Sequence, residues 1–140
     1  MRFLIILLLI IISSNNNANA QIFSSEGERK DVEAILTIAI NNVAFDDIYK
    51  RCKVYFSANE LLTESSSLIL KRGKCKAKVL DKSKIRNKSH VVLGDFTTDW
   101  DDMQAARVMF YMFPQNKILG IRLVKKNGVW TIYNHIVMDY

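Results

Sequence analysis

The spacing of apolar residues changes at Gly73, and no other feature limits the possible folds of this chain so strongly. Before that glycine, Val32, Ile35, Leu36, Ala39 and Val43 recur at steps of three and four, the period of one helix face. After it, Lys74, Lys76 and Lys78 alternate with Cys75, Ala77 and Val79, as in a strand with one wet and one packed face. Helices first and strands afterwards predict the α+β class, because a block of each kind buries its apolar side against the other.

Local signals place the elements. Ser25-Glu26-Gly27-Glu28 has the capping-box form, in which hydroxyl and carboxylate satisfy the free N–H groups at a helix start. Asp46 and Asp47 predict caps for a second helix with Ile48, Cys52, Tyr55 and Phe56 on one side. Ser57-Ala58-Asn59-Glu60 repeats the capping-box form and predicts a third helix through Leu61, Leu62, Leu68 and Ile69. Strands are predicted over 90–98, 105–113, 117–125 and 129–137, with a tight hairpin at Asn127-Gly128, a pair that readily takes positive φ. The expected architecture is three helices covering one face of a curved antiparallel meander.

Arg2, an apolar run over 3–12 and a polar stretch ending in Ala18-Asn19-Ala20 read as a cleavable secretory signal peptide. The apolar run is far shorter than the ~20 residues a spanning helix needs. Residues 1–20 are therefore expected to be a leader, and 21–140 a single exported domain, periplasmic or secreted, with no membrane span after removal of the leader. Apolar residues make up 49% and charged residues 24%, which excludes an intrinsically disordered chain. The full sequence carries +6; removing Arg2 leaves 19 basic against 14 acidic residues, or +5, a mild bias toward anionic partners.

Two cysteines are too few for a disulfide scaffold and lack zinc-site spacing. Cys52 and Cys75 both fall on expected apolar faces, so a bond between them is conceivable, with buried free thiols as the competing reading.

The order of a leading helix, short helices and a bent sheet ending in a long hairpin resembles the nuclear-transport-factor-2-like (cystatin-like) superfamily, a cone closed by helices. The segment Leu123-Val124-Lys125-Lys126-Asn127-Gly128-Val129-Trp130-Thr131-Ile132 resembles that family's final hairpin. Phe45-Asp46-Asp47-Ile48-Tyr49 and Tyr55-Phe56-Ser57-Ala58-Asn59-Glu60 are similar to the helical lead-in of periplasmic domains from type IV secretion channels. The first resemblance implies a cavity lined by Trp130, Tyr111, Tyr133 and His135. In enzymes of that superfamily a His, Asp or Tyr in the cavity acts as acid or base, which makes His135, Tyr133 and Tyr111 the catalytic candidates. It also implies a homodimer through the open sheet.

Other constellations have plainer readings. Lys74, Lys76, Lys78, Lys82, Lys84 and Arg86 would form one cationic stripe if their strand ran unbroken, a surface for an anionic or envelope protein partner. Lysines on an edge strand also discourage sheet-to-sheet pairing, and no aromatics interleave as in binders of single-stranded nucleic acid. Asp95, Asp99, Asp101 and Asp102 around Trp100 lack the ordered ligands of a calcium loop and read as a solvated turn. Neither a metal nor a cofactor is expected. The functional expectation is an exported, non-catalytic ligand-binding or protein-interaction module. Its rivals are an accessory periplasmic component of a type IV secretion assembly and a small lyase, isomerase or hydrolase using His135.

Overall fold

A computed structural model describes residues 23, 25–64, 67–86, 88–98 and 104–140. The expected leader therefore lies outside the described residues, as do Asp99, Trp100, Asp101 and Asp102. The fold is α+β, with helices on one face of a large mixed sheet.

Helix α1 (Glu26–Ile40) starts where the capping box predicts: the Ser25 hydroxyl accepts from the Glu28 N–H at 3.1 Å. Its buried face is Val32, Ile35, Leu36, Ala39 and Ile40. Asn41 ends it, its side-chain amide donating to the carbonyls of Thr37 and Lys71. Helix α2 (Val43–Ile48) is capped by Asn42, whose side chain accepts from the Ala44 N–H, and not by the expected aspartates. Asp46 instead lies within the helix and pairs with the guanidinium of Arg72.

The helix expected to carry Cys52, Tyr55 and Phe56 stops at Ile48. Tyr49 is fully buried and adopts extended backbone, its hydroxyl donating to the Ser89 carbonyl at 3.1 Å. Cys52 then lies in an exposed loop and is disulfide-bonded to Cys75, 23 residues on. Strand β1 (Tyr55–Ser57) follows, with Phe56 fully buried. Where the third helix is expected to start there is a turn: the Asn59 side chain accepts from the N–H groups of Leu61 and Leu62 and donates to the Leu93 carbonyl. An asparagine that serves three backbone groups holds a turn better than it starts a helix.

Past Gly73 the alternation becomes several short strands. β2 (Lys71–Arg72) and β3 (Cys75–Lys76) form a hairpin around Gly73, which has φ 56°. β4 (Lys78–Leu80) pairs with β1 in parallel, and Asp81 caps a single helical turn, α3 (Lys82–Ile85). Then come β5 (His90–Thr98), β6 (Ala105–Phe113), β7 (Lys117–Lys126) and β8 (Val129–Asp139), an antiparallel meander whose strand boundaries nearly coincide with the expected ones. Asn127 and Gly128 take φ of 52° and 78° at the predicted hairpin, and the Phe113–Pro114 bond in the β6–β7 turn is cis.

The sheet order is β4-β1-β5-β6-β7-β8. β1 runs parallel to both β4 and β5, so the sheet is mixed and the expectation of a wholly antiparallel one is corrected. β1 reaches this place after a helical lead-in, and no hairpin turn ties it to either neighbour. α1 packs on β6 and β8 and α2 on β7, burying Val108, Phe110, Met112, Leu119, Ile121 and Leu123 on the covered face. Among the described residues Arg72 is the one charged side chain that is buried, its guanidinium 5.1 Å from the Phe45 ring and its second partner the Arg51 carbonyl. That arrangement fixes the β2–β3 hairpin against α2 beside the disulfide.

Candidate functional site

Cross-strand register assigns every side chain of the meander to a face, because directly opposed residues project to the same side. Val108, Ile121 and His135 are in register, as are Phe110, Leu119 and Val137, so His135 projects from the helix-covered face. Tyr111, Ile118 and Met138 are in register on the outer face. Tyr111 and His135, expected to share a cavity, therefore stand on opposite sides of the sheet.

A bulge is the cause. The register of β7 and β8 shifts between Arg122 and Leu123, opposite Asn134 and Ile132, which leaves Tyr133 as the extra residue. Strict alternation would put Trp130 and Ile132 opposite His135. The inserted residue instead brings Trp130, Ile132, His135 and Val137 to one side. Trp130 is buried there, its indole N–H bonded to Asp31 of α1, while His135 lies beyond the cover of the helices and is exposed. Trp130 is thus core, and Tyr133, 69% exposed, projects at the bulge.

The described side chains under the helices are closed off from solvent. Phe45, Tyr49, Phe56, Phe110 and Met112 are all at 0% exposure, with Phe110 meeting Phe45 edge-on at 5.7 Å. Burial raises the Tyr49 hydroxyl above its ordinary pKa, with hydrogen bonding and nearby arginines opposing.

The outer face divides into two halves. At one end His90 stacks on Phe113 at 4.9 Å, and the Tyr140 ring meets those of Phe113 and Tyr111 edge-on at 5.8 Å. Ile136 and Met138 extend this apolar patch along β8. At the other end Arg107 and Arg122 are register partners, Asp95 accepts from Arg107 at 2.8 Å, and a groove of about 400 Å³ opens between Thr97, Arg107, Val124 and Tyr133. A glycine marks the division: Gly94 bulges β5, and its missing side chain leaves room for the Tyr111 ring. Asp95, read in the sequence as part of a solvated acidic turn, is here the partner of Arg107.

The basic residues do not form one stripe. Lys74 is in the β2–β3 turn, Lys76 and Lys78 are on separate short strands, and Lys82, Lys84 and Arg86 belong to α3 and its end. Even spacing places residues on one side of a strand, but α3 turns its residues by about 100° each. Lys84 is ion-paired to Glu64 at 3.0 Å. The unexpected cationic pair is Arg107 and Arg122, whose only trace in the sequence is an odd-numbered and an even-numbered arginine in consecutive strands; their pairing needs the register.

Among the described residues no cluster of His, Cys, Asp or Glu could hold a metal ion, and no helix is long and apolar enough to cross a membrane. The Cys52–Cys75 bond fits an oxidising compartment such as that reached by exported proteins. No family model, curated protein or solved structure matches the chain.

Proposed function

We propose that this chain is an exported, non-catalytic interaction module that takes a protein partner by strand pairing along β8. The observation that carries this reading is the difference between the two edges of the sheet. β4 is three residues long and bears Lys78, with Lys76 just before it, the short and charged form that resists pairing. β8 is eleven residues long, is free along one side among the described residues, and has no formal charge before Asp139. From Tyr133 onward every residue of β8 is exposed, including Ile136, Val137 and Met138. An uncharged apolar edge of that length is a template for another strand.

The partner that fits best is a second copy of the chain. Antiparallel pairing of two β8 strands about Ile136 sets Ile136 against its equivalent and His135 against Val137, and keeps the two Asp139 carboxylates at opposite ends. Like charges are then never directly opposed. Such a dimer joins sheet edges, unlike the sheet-face dimer that the family resemblance implies. The rival lyase, isomerase or hydrolase reading draws less support, since Tyr111 and His135 project from opposite faces and the covered face is packed.

The test is sedimentation of the wild-type chain beside Ile136→Lys, which places a charge on the exposed edge. We expect concentration-dependent dimerisation of the wild type, absent in the variant, with an unchanged circular dichroism spectrum. A wild-type chain that remains monomeric at high concentration removes the self-pairing. Recovery of membrane-channel components from envelope extracts by the wild type but not by Ile136→Lys would instead favour the secretion-accessory reading.

A further inference from the structure

We propose that the groove beside Arg107 and Arg122 binds a small organic anion, with both guanidinium groups on its carboxylate or phosphate head and Tyr133 and Val124 against its apolar body. This site is separate from the free edge of β8 and does not depend on what pairs there.

Two arginines directly opposed on neighbouring strands repel each other, an arrangement that costs a sheet stability unless something offsets it. Asp95 offsets half of the charge, its carboxylate accepting a hydrogen bond from Nη2 of Arg107 at 2.8 Å. Among the described residues no carboxylate pairs with Arg122, and no acidic side chain lines the groove. One oxyanion between the two guanidinium groups would balance the charge, and arginine offers paired N–H donors that match the oxygens of a carboxylate or phosphate.

The shape specifies the rest of the ligand. About 400 Å³ lies within the roughly 300–1,000 Å³ range of small-molecule sites, and well above the need of a bare phosphate. Ala105 and Val124 line the groove with short apolar side chains, Thr97 adds a hydroxyl, and Tyr133 stands at its rim because the bulge in β8 places it there. The lining combines a cationic end with an apolar wall and an aromatic ring. The matching chemistry is an anionic head joined to a flat or branched apolar body.

Phenyl phosphate, benzoate and inorganic phosphate serve as probes in a titration followed by backbone amide signals of the full chain. Phenyl phosphate or benzoate should shift the signals of residues 105–107, 122–124 and 133 saturably, and whichever binds more tightly identifies the preferred head. Inorganic phosphate, lacking a body, should bind about tenfold more weakly than phenyl phosphate. Arg122→Gln should weaken the organic probes at least about tenfold while leaving the melting temperature of the unliganded protein unchanged or higher, because it relieves repulsion. An arginine with a merely structural role would lower that temperature instead. Tyr133→Ala should abolish the preference for phenyl phosphate over inorganic phosphate. The proposal is overturned if neither organic probe shifts these signals saturably, or if binding survives Arg122→Gln. Shifts spread equally over Lys74, Lys76 and Lys78 would mean nonspecific charge attraction and overturn it as well.

Discussion

The indole N–H of Trp130 donates a 2.9 Å hydrogen bond to the carboxylate of Asp31, joining the last strand to the first helix across 99 residues. The same carboxylate accepts from the ammonium group of Lys125 at 3.0 Å. One side chain of α1 thus fixes both strands of the terminal hairpin, and Trp130 can be buried because its single polar atom has a partner.

Replacing that carboxylate leaves the indole donor buried and unpaired. Asp31→Ala should destabilise the fold by about 1.5–3 kcal/mol, the usual value of a hydrogen bond to a charged group. Asp31→Asn should cost less, since the amide oxygen still accepts. Urea denaturation followed by Trp fluorescence measures both, and equal losses for the two variants would show that the hydrogen bond is not the source.

The Cys52–Cys75 bond closes a loop that contains β1 and β2 and ends at the first residue of β3. In the chain-entropy model a loop of this length is worth about 3 kcal/mol. Reduction, or the double replacement Cys52→Ser with Cys75→Ser, should lower the unfolding free energy by about that amount. If midpoints with and without reductant coincide, the bond either is absent in solution or does not restrict the unfolded chain.

Gly94 has no room for a side chain, because a Cβ there would collide with the ring of Tyr111. Gly94→Ala should therefore cost about 1–3 kcal/mol through overpacking. Adding Tyr111→Ala removes the obstacle, so the two substitutions together should cost less than their sum. Additive losses in this cycle would refute the steric account.

Two exposed carboxylates tie α3 to the rest of the chain. The Asp81 N–H, then Lys84, hold Glu64 below the usual carboxylate range, and the Ser83 N–H together with the Ser83 hydroxyl lowers Asp81. A folded-state pKa below the unfolded one stabilises the protein above the unfolded value and loses that contribution as pH falls through the folded value. The turn at α3 should therefore loosen below about pH 4, where unperturbed carboxylates begin to protonate. Hydrogen exchange at the Asp81 and Ser83 amides should accelerate there, and Glu64→Gln should remove the part seen at Asp81. Exchange at Asp81 that is independent of pH after correction for its intrinsic rate would contradict the assignment.

By itself the sequence determined the pieces whose causes are local. The Ser25 cap, the stripe of α1 as far as Ala39, the four long strands and the Asn127-Gly128 turn each follow from side chains within a few residues of one another and appear in the structure where the pattern puts them, whereas Val43, read as the end of that stripe, begins the next helix and is exposed. Helices were overread between Tyr49 and Ile69 because apolar spacing there is equally consistent with short strands and turns. Phe56 is buried by β4 and β5, and Asn59 finds its partner at Leu93, contacts that no local pattern encodes. The site was less legible still. A single inserted residue at Tyr133 reverses the alternation of β8, separates His135 from the face of Tyr111 and leaves Tyr133 beside Arg122. A bulge depends on how one strand lies against its neighbour, so only the tertiary structure decided which residues meet.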